Sequence, residues 1–211
     1  MKTEQLVDLL ARQAGPAPRH VVETRLAVAV TLGLLASVAA AAGVLGLNVA
    51  LADMGTALVV KLVYVAGLAA GALWLADRVA RPGARWQPAA RATTLVLLAM
   101  ALLAMSRLIA TPDDERLALL LGRSWTSCPW RVAALSVPAL VAALWAMRGL
   151  APTRPRLAGF TVGLLAGALG ALGYALYCTE VSPLFVLVWY TLGMLVPAGA
   201  GALLGPRLLR W

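Results

Sequence analysis

The sequence predicts an all-α integral membrane protein: a bundle of six transmembrane helices, N-in/C-in, with a short cytoplasmic N-terminal amphipathic helix. Three observations carry the prediction. The 211 residues are 62% hydrophobic and only 13% charged, about half the charged share of a soluble domain. A soluble fold of this size could not hide so much apolar surface, whereas a bilayer accepts it. The apolar residues fall in six runs, each near the roughly 20 residues needed to cross hydrocarbon. The basic residues behind the net charge of +9 lie in alternate loops between those runs. That is the pattern of membrane orientation rather than of a basic nucleic-acid face, so no direct contact with nucleic acid is expected.

The elements follow in order. Residues 1–24 read as a cytoplasmic helix and linker, and residues 25–211 as the transmembrane domain. The opening Met1–Glu23 stretch is polar and mixed in charge. It lacks the early apolar core of a cleavable signal, so the first span is expected to stay as an anchor. The first run is Leu26 to Leu47, broken by Asn48, Asp53 and Gly55. The second spans Thr56 to Ala76 and carries Lys61; a basic linker, Asp77 to Arg91, follows. The third is Ala92 to Ala110, and the longest interior loop, Thr111 to Trp130, holds Asp113, Asp114 and Glu115. The fourth is Val132 to Met147, followed by a linker, Arg148 to Arg156, with two prolines. The fifth is Leu157 to Tyr177, and the short turn Cys178–Pro183 leads into the sixth, Leu184 to Leu204.

Orientation comes from counting Lys and Arg beside each span. The N-terminal segment, the second and fourth loops and the tail together hold thirteen, whereas the other three loops hold two, or four with their edges. The positive-inside rule then places both termini in the cytoplasm. Within the spans, Gly159, Gly163 and Gly167 form a double G-x-x-x-G ridge, and Gly67 with Gly71 forms another. Such ridges let helix backbones approach closely. They serve either packing inside the bundle or a homodimer face.

Residues Thr3 to Arg12 read as a short amphipathic helix. Thr3 is a candidate N-cap, and Glu4 and Asp8 lie where the helix dipole favours acid. Leu6, Leu9 and Leu10 share one face with Val7 beside them, and Gly15, Pro16 and Pro18 end the helix. A helix this short is marginal alone. It could rest on the membrane, though its polar face is not basic; it could be an inert tail; or it could dock in an apolar groove on another protein.

The two cysteines, Cys128 and Cys178, fall on the same, non-cytoplasmic face in this topology. That compartment permits disulfides. Three readings stand: two unrelated small residues, a structural disulfide closing a loop of about 50 residues and worth about 4 kcal/mol, or a reversible thiol pair sensing oxidants or soft metal ions. No stable metal site is expected, because the single histidine, His20, lies on the other side. Only a transient soft-metal contact at Cys128 and Cys178 is left open. There is no C-x-x-C to support a thioredoxin-like oxidoreductase.

Lys61 is a candidate intramembrane charge, and such a residue raises the question of function. It lies about one and a half turns from the outer end of its run, so snorkelling to the interface is the expected behaviour. Asp53 or Glu180 would be its partner there, and Arg107 has the same explanation. No H-E-x-x-H, G-x-S-x-G or Walker A sequence is present, so neither catalysis nor a cofactor is expected.

These features together resemble the NrsF-like membrane anti-sigma factors. The resemblance is carried by the opening Met1-Lys2-Thr3-Glu4-Gln5-Leu6-Val7-Asp8-Leu9-Leu10 with its Pro16 and Pro18 linker, by the six spans, and by the single cysteines Cys128 and Cys178. It covers essentially the whole chain. It implies that the cytoplasmic segment sequesters an extracytoplasmic-function sigma factor at the bacterial inner membrane. It also implies that Cys128 and Cys178 are the sensor pair for oxidative or heavy-metal stress. Leu6, Val7, Leu9 and Leu10 as the docking face is an inference from spacing. The rival readings are a membrane thiol/disulfide oxidoreductase and a small transporter.

Overall fold

The computed structural model describes residues 3–5, 7–8, 20–46, 55–150 and 152–210. Among them no strand occurs, and six helices are long and apolar enough to cross a membrane. We label the helices α1 (Val21–Ala40, continuing through wide π turns to Leu45), α2 (Gly55–Ala80), α3 (Gln87–Ala110), α4 (Asp113–Leu121), α5 (Cys128–Arg148), α6 (Pro155–Ala175) and α7 (Pro183–Leu208). All but α4 are spans. In the N-terminal segment Thr3–Gln5, Val7 and Asp8 are helical. Leu6, Leu9, Leu10, Pro16, Pro18, Asn48 and Asp53 lie outside the described residues.

Proline sets several helix starts, because its missing N–H is one that an N-terminus leaves unbonded anyway. α3, α5, α6 and α7 all carry Pro in the first turn. At α7 the Ser182 hydroxyl also accepts from the Phe185 amide at 3.4 Å. The spans start or end several residues beyond the apolar runs. α1 begins at Val21 rather than Leu26, and α2 continues to Ala80. Polar residues such as Glu23 and Asp77 extend these helices past the hydrocarbon, where charge is tolerated.

α6 is the centre of the bundle. Its apolar window is 78% buried, against 17% for α3 at the edge. α7, α5, α2 and α1 pack around it. The glycine ridge makes this closeness possible. A Cβ on Gly159 or Gly163 would strike the Gly201 or Pro197 carbonyl of α7. On other sides of α6, a Cβ on Gly170 would lie 2.7 Å from the Ser136 amide of α5, and one on Gly173 2.9 Å from the Ser37 carbonyl of α1. Gly71 faces Thr93 of α3 in the same way. Both ridges are therefore used for packing inside the bundle. Small residues let van der Waals contact replace the hydrophobic drive that lipid cannot supply.

A few polar bonds fix how the helices register. Ser37 donates to the Leu135 carbonyl at 2.8 Å, joining α1 to α5. Tyr64 and Thr191 share a 2.6 Å hydrogen bond between α2 and α7. At the opposite end of the bundle from the cysteines, Arg81 reaches Asp77 at 2.9 Å and Glu23 at 2.6 Å. Asp77 first, and then Glu23, raise the Arg81 guanidinium pKa above its usual value. The group is 41% exposed, so these pairs position α1 against α2 more than they stabilise it.

The structure also corrects the reading of Thr111–Trp130 as a loop: α4 lies inside it. Pro112 precedes the helix, and Asp113, Asp114 and Glu115 fill its first turn, where the dipole favours acid. Trp189 donates to the Leu120 carbonyl at 2.7 Å and Ser182 to the Leu119 carbonyl at 2.9 Å, so α4 is strapped across the start of α7.

Candidate functional site

The candidate site lies where α5 begins and α6 ends. Cys128 is the first residue of α5, and Cys178 follows the last turn of α6. Both are free thiols, 0% and 3% exposed. They belong to one buried cluster with Tyr64, Tyr174, Phe185 and Tyr190.

Lys61 joins this cluster from α2. Its side chain is 1% exposed, and Nζ donates to the Cys178 carbonyl at 2.8 Å. Nζ also stands 5.9 Å from the centre of the Tyr190 ring, within cation–π range. This corrects the expectation that Lys61 snorkels to the interface; its candidate partner Asp53 lies outside the described residues. The physical reason is that the final carbonyls of a helix have no intrahelical donor. The end of α6 thus offers an acceptor inside the bundle, and the ammonium turns inward. Arg107, by contrast, is exposed.

Tyrosines surround the thiols. Tyr174 and Tyr190 stack at 5.6 Å, and Tyr174 and Tyr177 at 5.9 Å. The Tyr174 and Tyr190 hydroxyls are buried with no hydrogen-bond partner among the described residues. Buried polar groups are seldom left unpaired, so this end of the bundle holds unused hydrogen-bonding capacity beside both thiols. All four tyrosines of the chain lie here. Sequence reasoning missed them, although Tyr174, Tyr177 and Cys178 fall close together, a signal that was available.

A cavity of about 250 Å³ opens at the protein surface beside Cys178, lined by Arg123, Arg131, Tyr174, Tyr177 and Glu180 among others. Glu180 accepts from the Arg123 amide at 2.6 Å and from the Ser124 hydroxyl at 3.4 Å. That reach depends on Gly122, which has φ +53°; a Cβ there would lie 2.6 Å from the Glu180 carboxylate. Arg131 sits 5.4 Å from the Tyr177 ring and donates to its hydroxyl at 3.4 Å. The segment after α4 is thereby tied to the turn that carries Cys178.

The arrangement offers two thiols, one amine and two buried phenols beside a cavity that reaches Cys178. Among the described residues no three His, Cys, Asp or Glu side chains group as a metal site. The described part of the N-terminal segment is exposed, with Val7 61% accessible.

Comparison with known proteins bears on the whole chain. The profile of a family described as NrsF, negative regulator of sigma F, matches residues 10–211. The chain is 45% identical over 222 residues to a probable anti-sigma-F factor NrsF of Azospira oryzae. It is 39% identical over 217 residues to the anti-sigma-F factor NrsF of Caulobacter vibrioides. Both comparisons cover all of each chain. No solved structure matches.

Proposed function

The chain belongs to the NrsF family of negative regulators of sigma F, and from that premise we propose that it is an anti-sigma factor of the bacterial inner membrane. Its cytoplasmic N-terminal segment holds an extracytoplasmic-function sigma factor away from RNA polymerase. The thiols at the far end of the bundle release it when they meet an oxidant or a soft metal ion.

The sensing half rests on one observation: Cys128, Cys178 and Lys61 converge in a buried cluster drawn from α5, α6 and α2. Oxidation by a peroxide would remove both thiol protons, join the two sulfurs and form two waters. A soft cation would displace the same protons and bind both sulfurs. Either event changes the start of α5 and the end of α6 together. The docking half rests on the spacing of Leu6, Val7, Leu9 and Leu10, which suits a helix lying in an apolar groove. Exposed Val7 accords with it.

The signal crosses the membrane only if the two thiol states favour different bundle arrangements and those arrangements bind the sigma factor unequally. A coupling of about 1–3 kcal/mol is ordinary for such linkage. Pro138 in α5 and Pro197 in α7 interrupt helical bonding and provide places where the helices can bend.

Co-purification from detergent tests the proposal. The full chain retains the sigma factor encoded in the same genome, and peroxide or cadmium elutes it. C128S and C178S retain the partner but no longer release it. A variant lacking residues 1–20 loses the partner, and target genes are then expressed constitutively. Retention of the sigma factor by that variant would overturn the docking assignment.

A further inference from the structure

The end of the bundle remote from the cysteines carries a second built cavity, of about 290 Å³. Arg78, Arg81, Arg85 and Arg154 line it. Arg81 is neutralised by Asp77 and Glu23. No carboxylate among the described residues pairs with Arg78, Arg85 or Arg154. The starts of α3 and α6 meet the same cavity, through Trp86 and Gln87 and through Arg154 and Leu157. Neither start has a side-chain cap, so their unbonded amides add to the positive field. The cavity is thus charged for an anion.

A second groove adjoins it, sharing Trp86 and Gln87 and running along α3 past Ala90, Arg91, Thr94 and Leu95. α3 is the least buried of the six spans, and Leu95 is 65% accessible. A charged pocket therefore continues into a mostly apolar groove, with Arg91 in its wall, along an exposed face of α3, with an indole at the junction. Tryptophan is favoured at membrane–water interfaces.

From this continuity we propose that the protein binds an anionic phospholipid. The headgroup phosphate sits among Arg78, Arg85 and Arg154, and one acyl chain lies along α3. The charge alone would suit an acidic protein segment equally well, but a peptide carboxylate has no use for the adjoining, mostly apolar groove. Basic pockets between spans are a recurrent way of holding such headgroups. The inference does not depend on the sigma-factor reading, because it uses none of the same residues.

Native mass spectrometry of the full chain in detergent tests it, with phosphatidylglycerol and phosphatidylcholine as probes. The wild type is expected to retain phosphatidylglycerol about tenfold more tightly than phosphatidylcholine. R78Q/R85Q/R154Q should abolish that preference. Thr94 is an exposed groove position, so T94W fills the groove without disturbing the core; it should lower phosphatidylglycerol retention while leaving the fold intact. Equal retention of the two lipids by the wild type would sink the proposal. So would T94W with undiminished phosphatidylglycerol binding, which would assign the arginines to a soluble or protein anion.

Discussion

Removing the Lys61 ammonium leaves the Cys178 carbonyl without its donor in apolar surroundings, a loss of about 1–3 kcal/mol. K61M should therefore lower the melting temperature in detergent and loosen the turn that carries Cys178. Maleimide labelling of Cys178 should then run several-fold faster than in the wild type, where the thiol is 3% exposed; unchanged labelling would disconnect Lys61 from the cysteine. That the two cysteines share one end of the bundle was legible from the chain, because an even number of spans separates the segments that carry them. The inward turn of Lys61 was not. Its acceptor is 117 positions away, and no local pattern announces that a helix will end beside it.

At the scale of the helix, the ridge of α6 makes a sharp comparison possible. A side chain at Gly163 would collide with the Pro197 carbonyl, whereas a Cβ at Gly199 meets nothing within 4 Å. G163L should cost about 1–3 kcal/mol through overpacking, read as a fall in melting temperature in detergent, while G199A should leave it unchanged. Equal effects would mean that α6 and α7 are not in backbone contact. The G-x-x-x-G spacing disclosed such a ridge but not whether it faced inward or toward a second copy. The opposing surface of α7 carries the same spacing at Gly201 and Gly205, a signal the sequence reading passed over, and the two ridges meet. α4 was missed because nine residues with three acids at the start look like a solvated loop to any test tuned to spans. Its own cues, a preceding proline and acid in the first turn, were nonetheless present. The wide turns at Ala41–Leu45 and Val186–Tyr190 have no signature in apolar periodicity, since both lie within continuous hydrophobic runs.

For the molecule as a whole, six spans and alternating basic loops predict that both ends face the cytoplasm. A fluorescent protein fused after Arg210 should glow, and alkaline phosphatase inserted after Glu115 should be active; the reverse pattern would place the thiols inside the cell. Deleting residues 1–20 should leave the melting temperature of the bundle unaltered, because among the described residues the packed core lies in later ones. If it falls, the segment is part of the fold rather than a free arm. The class and number of spans were readable from composition and length because the bilayer imposes both. The arrangement around a central α6 was not, since every span is apolar and only close approach distinguishes the middle from the rim.

That central helix has a mechanical consequence. Its buried surface is mostly glycine and alanine, and on the side facing α7 backbone is set against backbone, so that side has few flexible side chains to absorb a shove. Close-packed interiors transmit strain instead of dissipating it. A shift imposed on one tip of such a rod reappears at the other, some 30 Å away for 21 residues at 1.5 Å each.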